Sequence, residues 1–221
     1  MAHAGETEIS LVLRAAEMFG RDGYATTSLD EVAKAAGLSR GAVYHHFGSK
    51  ATLFRYALIH QERRLAERFV AASSVRVGWD AVRAGCAVVL DAYLDPGVRR
   101  ILLIDGPAVL GWREVRSIED GFVGELLRRG LQRAAEERAT EERVTEERVT
   151  EGRVTEGRVT GPPAADERGA GERDVEARLS VLRGALAEAG LLLARDEDSL
   201  PALTREIELL ISVYERNPVR A

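Results

Sequence analysis

Six residues within one short stretch, Arg40, Gly41, Ala42, Tyr44, His45 and Lys50, have the types and spacing to read a nucleic acid. An arginine in the first turn of a short helix offers two N–H donors in the geometry that guanine accepts. Gly41 and Ala42 are small, so the backbone can approach base edges and the alanine methyl can touch thymine. Tyr44 and His45 fall on the outer side, where a hydroxyl or an imidazole reaches a phosphate. Val43 and Phe47, four apart, turn back to a core. Lys50 adds charge and exposed N–H groups at the start of the next helix, a second phosphate position. Tyr44 has an alternative, packing on the core. His45 and His46 are adjacent, hence about 100° apart on a helix, and neither an HxxxH spacing nor a cysteine follows. No metal and no cofactor is expected.

Such a face needs a short helix on a firm scaffold, and the flanking residues signal one. Ser28, with Glu31 three residues on, forms a capping box whose hydroxyl and carboxylate each accept from an orphan backbone N–H. Leu29, Val32, Ala33 and Ala36 space the buried stripe of a helix that Gly37 ends. Ser39 caps RGAVYHHF, which stops at Gly48. Ser49 then caps a long amphipathic helix with Leu53, Phe54, Ala57, Leu58, Leu65 and Phe69 inward. Upstream, Ile9, Val12, Leu13, Ala16 and Phe19 stand at helical spacing. Two short helices joined by a tight glycine turn predict a helix-turn-helix over 28–47.

The formal net charge of −5 argues against a polyanion partner, but its distribution does not. Between Glu31 and Glu62 there is no acidic residue, while Lys34, Arg40, Lys50 and Arg55 are basic. A local basic surface on an acidic body can bind a polyanion at one place only. A composition of 45% hydrophobic and 30% charged residues with few aromatics favours a soluble helical protein. No apolar run is long enough for a transmembrane helix, no secretory leader is visible, and the lone Cys86 fits a reducing cytosol. No paired carboxylates or Ser/His/Asp set suggests an enzyme.

The run ATTSLDEVAKAAGLSRGAVYHHFGSKATLFRYAL resembles the DNA-binding signature of the tetracycline-repressor (TetR) family. The matching features are the Thr-Thr-Ser entry, the Ala-Ala-Gly-Leu-Ser turn, the Tyr-x-x-Phe helix and the Gly-Ser-Lys opening of the next helix. The resemblance covers residues 5–65. It implies an all-α fold with an N-terminal three-helix DNA-binding domain and a larger C-terminal helical domain, 75–221, for ligand binding and dimerisation. It places Thr27, Arg40, Gly41, Ala42, Tyr44, His45 and Lys50 at DNA-contacting positions, with Thr26, Ser39 and His46 beside them. It further implies a cytoplasmic homodimer, paired through helices at 174–194 and 199–216. Such a repressor leaves a palindromic operator in double-stranded DNA when a small-molecule effector occupies its C-terminal pocket. Repression against activation is left open.

Beyond a break near Ser73-Ser74, further helices are expected at 78–94, after Asp95-Pro96-Gly97, and at 112–137. Gly106-Pro107 must disturb the middle one. Trp79, Cys86, Tyr93, Val109, Trp112 and Phe122 line an effector pocket or merely fill the core. Residues 136–160 are five tandem pentads, EERAT to EGRVT. A period of five fits neither helix nor strand, so an insertion over 138–172 is expected to be disordered, with order resuming at Asp174. Ser199 and Pro201 open the last helix, and the apolar faces of the last two are wide enough to need a partner.

Overall fold

The computed structural model describes residues 2–151 and 165–217, and no strand occurs among them. The all-α expectation holds. The N-terminal unit is α1 (Ala2–Asp22), α2 (Leu29–Ala35) and α3 (Arg40–Phe47), packed on the first half of α4 (Lys50–Ser73). The larger part contains α5 (Gly78–Ala92), α6 (Pro96–Arg99), a wide π turn (Arg100–Asp105), α7 (Gly106–Leu110) and α8 (Trp112–Asp120). It ends with α9 (Val123–Glu151), α10 (Ala165–Leu193) and α11 (Leu200–Arg216). Among these, α5 is central, packed against α4, α9, α10 and α11. Among the described residues no helix is long and apolar enough to cross a membrane.

The N-terminal caps form as their sequence signals require. Ser28 Oγ accepts from Glu31 N at 3.1 Å, and Glu31 Oε2 accepts from Ser28 N at 3.2 Å. Ser39 and Ser49 cap α3 and α4 by accepting from Ala42 N and Thr52 N. Gly37 and Gly48 both take φ of +70°, the left-handed turn that glycine enters at no steric cost.

Helix α1 is rotated from its expected register. Leu11, Ala15, Ala16 and Phe19 are buried, whereas Ile9 and Leu13 are 62% and 41% exposed. Two overlapping apolar stripes run along this helix. Packing of Phe19 edge-on to Phe54, ring centroids 5.1 Å apart, goes with the Leu11 side facing inward.

Three other expectations are corrected, and one, the disturbance at Gly106-Pro107, is met. The single helix read over 112–137 is two, because the chain turns at Gly121-Phe122. Arg183 bonds Glu119 and Asp120 at the end of α8, at 2.8 and 2.6 Å. Pro107 has no N–H to give the ladder, and the disturbance it causes is the preceding π turn, closed by Gly106 N bonding Ile101 O. Ser199 does not cap α11; its hydroxyl donates to Asp196 Oδ2 at 2.6 Å. Finally, the backbone is helical from 138 to 151 and again from 165, within the insertion expected to be disordered. Extending an existing helix avoids the nucleation cost, and Glu/Arg-rich pentads have good helix propensity. Arg138, in the first pentad, also donates to the Glu215 carbonyl of α11. Pentad positions 152–160 lie outside the described residues.

Gly85 is where α5 meets α4: a Cβ there would stand 2.0 Å from Phe69 Cζ. Gly85→Ala is expected to cost about 1–3 kcal/mol in urea unfolding. Phe69→Leu in the same chain should recover part of that loss. Additive losses in the double variant would show that the two residues are not in conflict.

Candidate functional site

Val43 and Phe47 are buried, so α3 is anchored by one side and shows the other. Arg40, Gly41, Tyr44 and His45 are exposed along that outer side. Gly41 is informative, because among the described residues a Cβ on it would meet only Ser39 Oγ, at an ordinary 3.7 Å. Packing within the protein therefore does not require a glycine there. Gly41 stands in the first turn of α3, and the open space at its Cβ position leaves room for a close neighbour on this face.

The basic groups are not free, as the acid-free stretch of sequence suggested. Arg40 Nη1 pairs with Asp30 Oδ2 of α2 at 3.0 Å, just outside the sequence window that lacks acids. Arg40 Nη2 donates to the Tyr44 hydroxyl at 3.3 Å, and the guanidinium lies 5.3 Å from the Tyr44 ring centroid. This pairing holds Tyr44 on the outer face, away from the core. Lys50 Nζ donates to the Ala25 carbonyl at 3.2 Å and lies 4.5 Å over the Tyr24 ring, pinning the loop between α1 and α2.

Three expected contacts are placed differently. Thr27 is buried and its hydroxyl donates to Gly23 O at 2.8 Å, so that group closes the α1–α2 loop instead of facing outward. Thr26 is exposed, but its hydroxyl donates to the carbonyls of Asp22 and Gly23. His46 turns to α1, with Nδ1 3.1 Å from Glu8 Oε1. Ala42 is half-buried beside Gly41, and the Ser39 hydroxyl is used by the cap.

A narrow cavity of about 40 Å³ lies in the larger part, between α4, α5, the π turn, α8, α9 and α10. Tyr93 and Trp112 line it, as two of the six pocket candidates. Trp79, Cys86, Val109 and Phe122 do not; Cys86 is in the core, and the other three pack against it. Burial pushes the Cys86 thiol up to about 12, which suits a packing role. The sequence reading missed Glu62, Arg116, Glu119 and Arg183 in this cavity. Charged residues on amphipathic helices read as solvated. The available signal was Glu62 itself, four residues from Leu58 and three from Leu65, on the apolar side of α4.

Glu62 is 5% exposed, and burial pushes its carboxyl up to about 8. The Glu119 carboxylate adds to the rise and the Arg183 guanidinium opposes it. The folded state thus holds a proton that the unfolded chain, with a carboxyl near 4.3, has lost. The stabilisation is complete at low pH and disappears as pH climbs from about 4.3 to 8. Glu62→Gln should flatten the decline in unfolding free energy between about pH 5 and 8. An unchanged slope in that variant would place the titration elsewhere.

Comparison with known proteins agrees with this geometry. Residues 11–57 match the profile of bacterial regulatory proteins of the tetR family, and residues 79–150 match a tetracyclin repressor-like C-terminal domain. The HTH-type transcriptional regulator SrpR of Pseudomonas putida is 33% identical over 95 residues, covering 43% of each chain. The uncharacterized HTH-type transcriptional regulator TtgW of the same species is also 33% identical, over 43% of this chain and 69% of its own. The chain thus spans under half the length of the first of these relatives. A TetR-family regulator from Pectobacterium atrosepticum superposes with a TM-score of 0.60 at 29% identity, covering 95% of this chain and 94% of its own. A Rhodococcus regulator at 20% identity and TM-score 0.62, covering 95% of this chain and 96% of its own, shares the fold. By these matches at both ends of the molecule, the chain belongs to the TetR family of transcription regulators.

Proposed function

We propose that this regulator is a cytoplasmic homodimeric repressor that holds a palindromic operator through α3 and is released by a small-molecule effector. The observation that carries the DNA part is the outward face of α3, with Gly41 small for no internal reason beside Arg40. Arg40 exchanges Asp30 for a guanine edge, Tyr44 and His45 reach the backbone, and Gly41 and Ala42 allow close approach. Lys50 contributes charge while it fixes the α1–α2 loop. The effector part is supported by the match of residues 79–150 to a tetracyclin repressor-like C-terminal domain.

Dimerisation is supported by apolar side chains left open on the last two helices. Val181 and Leu192 of α10 are 54% and 38% exposed, and Leu209 and Val213 of α11 are 51% and 44% exposed. Pairing of the 174–194 and 199–216 helices across a two-fold axis covers them and sets two recognition helices on successive half-sites.

Selection of bound duplexes from a random pool tests the reading. Arg40→Ala should lose discrimination on the order of tenfold or more at one base position per half-site. Lys50→Ala should weaken all sequences alike and lower the salt dependence. If Arg40→Ala selects the same sequences with the same affinity, the docking is wrong. Leu209→Glu should sediment as a monomer and lose operator binding; a dimer that still binds would place the interface elsewhere.

A further inference from the structure

Of the two apolar stripes on α1, the fold uses one. Leu11, Ala15 and Phe19 enter the core, while Ile9 and Leu13 stay exposed. Beside them α4 leaves Tyr56 45% exposed and Ile59 half-buried. Between the two helices lies an open groove of about 460 Å³, a size that holds small organic molecules. Ile9, Val12 and Leu13 line it from α1, Tyr56 and Ile59 from α4, and Phe47 from the end of α3. Phe47 lies edge-on to Tyr56, ring centroids 5.4 Å apart, so an occupant of the groove rests against an anchor of the recognition helix. A contiguous apolar patch left open to water, with charge at its rim, is a mark of binding.

The charge at that rim decides the class of molecule. Glu8 of α1 is taken by His46 of α3, whose Nδ1 is 3.1 Å from its Oε1. Arg63 and Arg64 of α4 are exposed and form no ion pair among the described residues. Glu67, one turn further, is the remaining carboxylate in the lining. Burial, and after it the Arg64 and Arg63 guanidiniums, hold the His60 imidazole below its ordinary value, with Glu67 opposing them. The positive field of the two arginines is therefore felt at a side chain that itself lines the groove. A cation would meet two guanidiniums against one carboxylate, and an uncharged molecule would leave both unanswered. An anion is the complementary charge. Along α4, Tyr56 and Ile59 precede Arg63 and Arg64 by about one turn, so one elongated molecule can touch both sets.

We propose that the groove between α1 and α4 binds a single dissolved amphiphile, an aliphatic chain with one anionic head. The chain lies on Ile9, Leu13, Tyr56 and Ile59, and the head meets Arg63 and Arg64. This site belongs to the N-terminal unit and does not depend on the effector reading of the larger part.

Four probes, kept below their micelle-forming concentrations, are titrated calorimetrically into the full chain: octane-1-sulfonate, octyltrimethylammonium, 1-octanol and ethanesulfonate. Octanesulfonate should bind about tenfold more tightly than the cation or the alcohol, as expected when two exposed guanidiniums gain a counter-charge. Ethanesulfonate, with the head but little chain, should bind at least about tenfold more weakly than octanesulfonate. Arg63→Gln combined with Arg64→Gln should bring octanesulfonate down to the affinity of 1-octanol. Ile9→Ser combined with Leu13→Ser should weaken octanesulfonate and 1-octanol alike. If that second variant does not fold, the exposed arginine pair still decides the matter. Octyltrimethylammonium or 1-octanol binding as tightly as octanesulfonate overturns the proposal. So does an octanesulfonate affinity unchanged in the arginine variant, which places the binding elsewhere in the chain. Absence of binding by all four overturns it too. A chain that sediments with anionic phospholipid vesicles yet takes up no free octanesulfonate has a membrane face instead. A wild-type dimer that binds no probe, and that Ile9→Ser with Leu13→Ser splits into monomers, has the groove covered by a second copy. Either result overturns the proposal.

Discussion

Helix α4 is buried by both halves of the molecule, and the other elements are arranged around that fact. Its first turns carry Leu53, Phe54, Ala57 and Leu58 into the core shared with α1 and the π turn, and its later turns carry Leu65 and Phe69 against α5. One continuous apolar cluster therefore runs from Leu11 to Ile211. A rigid element common to both ends is a physical route by which events at the cavity and at α3 share a free energy. Lys50 stands at its first residue, and Glu62 three turns further along.

A second junction ties the same halves. Gly20 of α1 approaches Gly97 of α6 so closely that a Cβ on Gly20 would stand 3.1 Å from the Gly97 Cα. Tyr24 N donates to Asp105 Oδ2 at 2.8 Å, and Arg100 donates to Gly20 O at 2.9 Å. Arg100 thus takes up carbonyls at the end of α1 and Asp105 takes up a backbone N–H of the loop that follows, both residues belonging to the π turn. A wide helical turn is a costly conformation, and here it puts Arg100 and Asp105 where the recognition unit begins. The two junctions leave the helix-turn-helix little freedom to rotate independently of the larger part.

On the recognition helix, Arg40 is held by Asp30 and Tyr44 before any partner arrives. Exposed ion pairs of this kind contribute little to folding. Their effect is to reduce the rotamers that a long side chain must surrender on binding, and to require that a partner outcompete a carboxylate.

Much of this was legible in the amino-acid sequence. Caps at Ser28, Ser39 and Ser49, the glycine turns and the inward Val43 and Phe47 depend on neighbours within four residues, so local physics sufficed for the recognition unit. The wide apolar faces of the last two helices followed from periodicity in the same way. What lay beyond reach depended on residues far apart in the chain. The register of α1 turned on the Phe19–Phe54 contact, and the break at Gly121 went with a guanidinium sixty residues later. Asp30 beside Arg40, Thr27 turned inward and Glu62 buried on the same cavity as Arg183 are likewise tertiary facts. A side chain's type says what it can bond, but burial and a partner brought by folding decide what it does bond. The sequence thus determined that an outward face of Arg40, Gly41, Tyr44 and His45 exists; only the packing of α4 against its neighbours decided how that face is held.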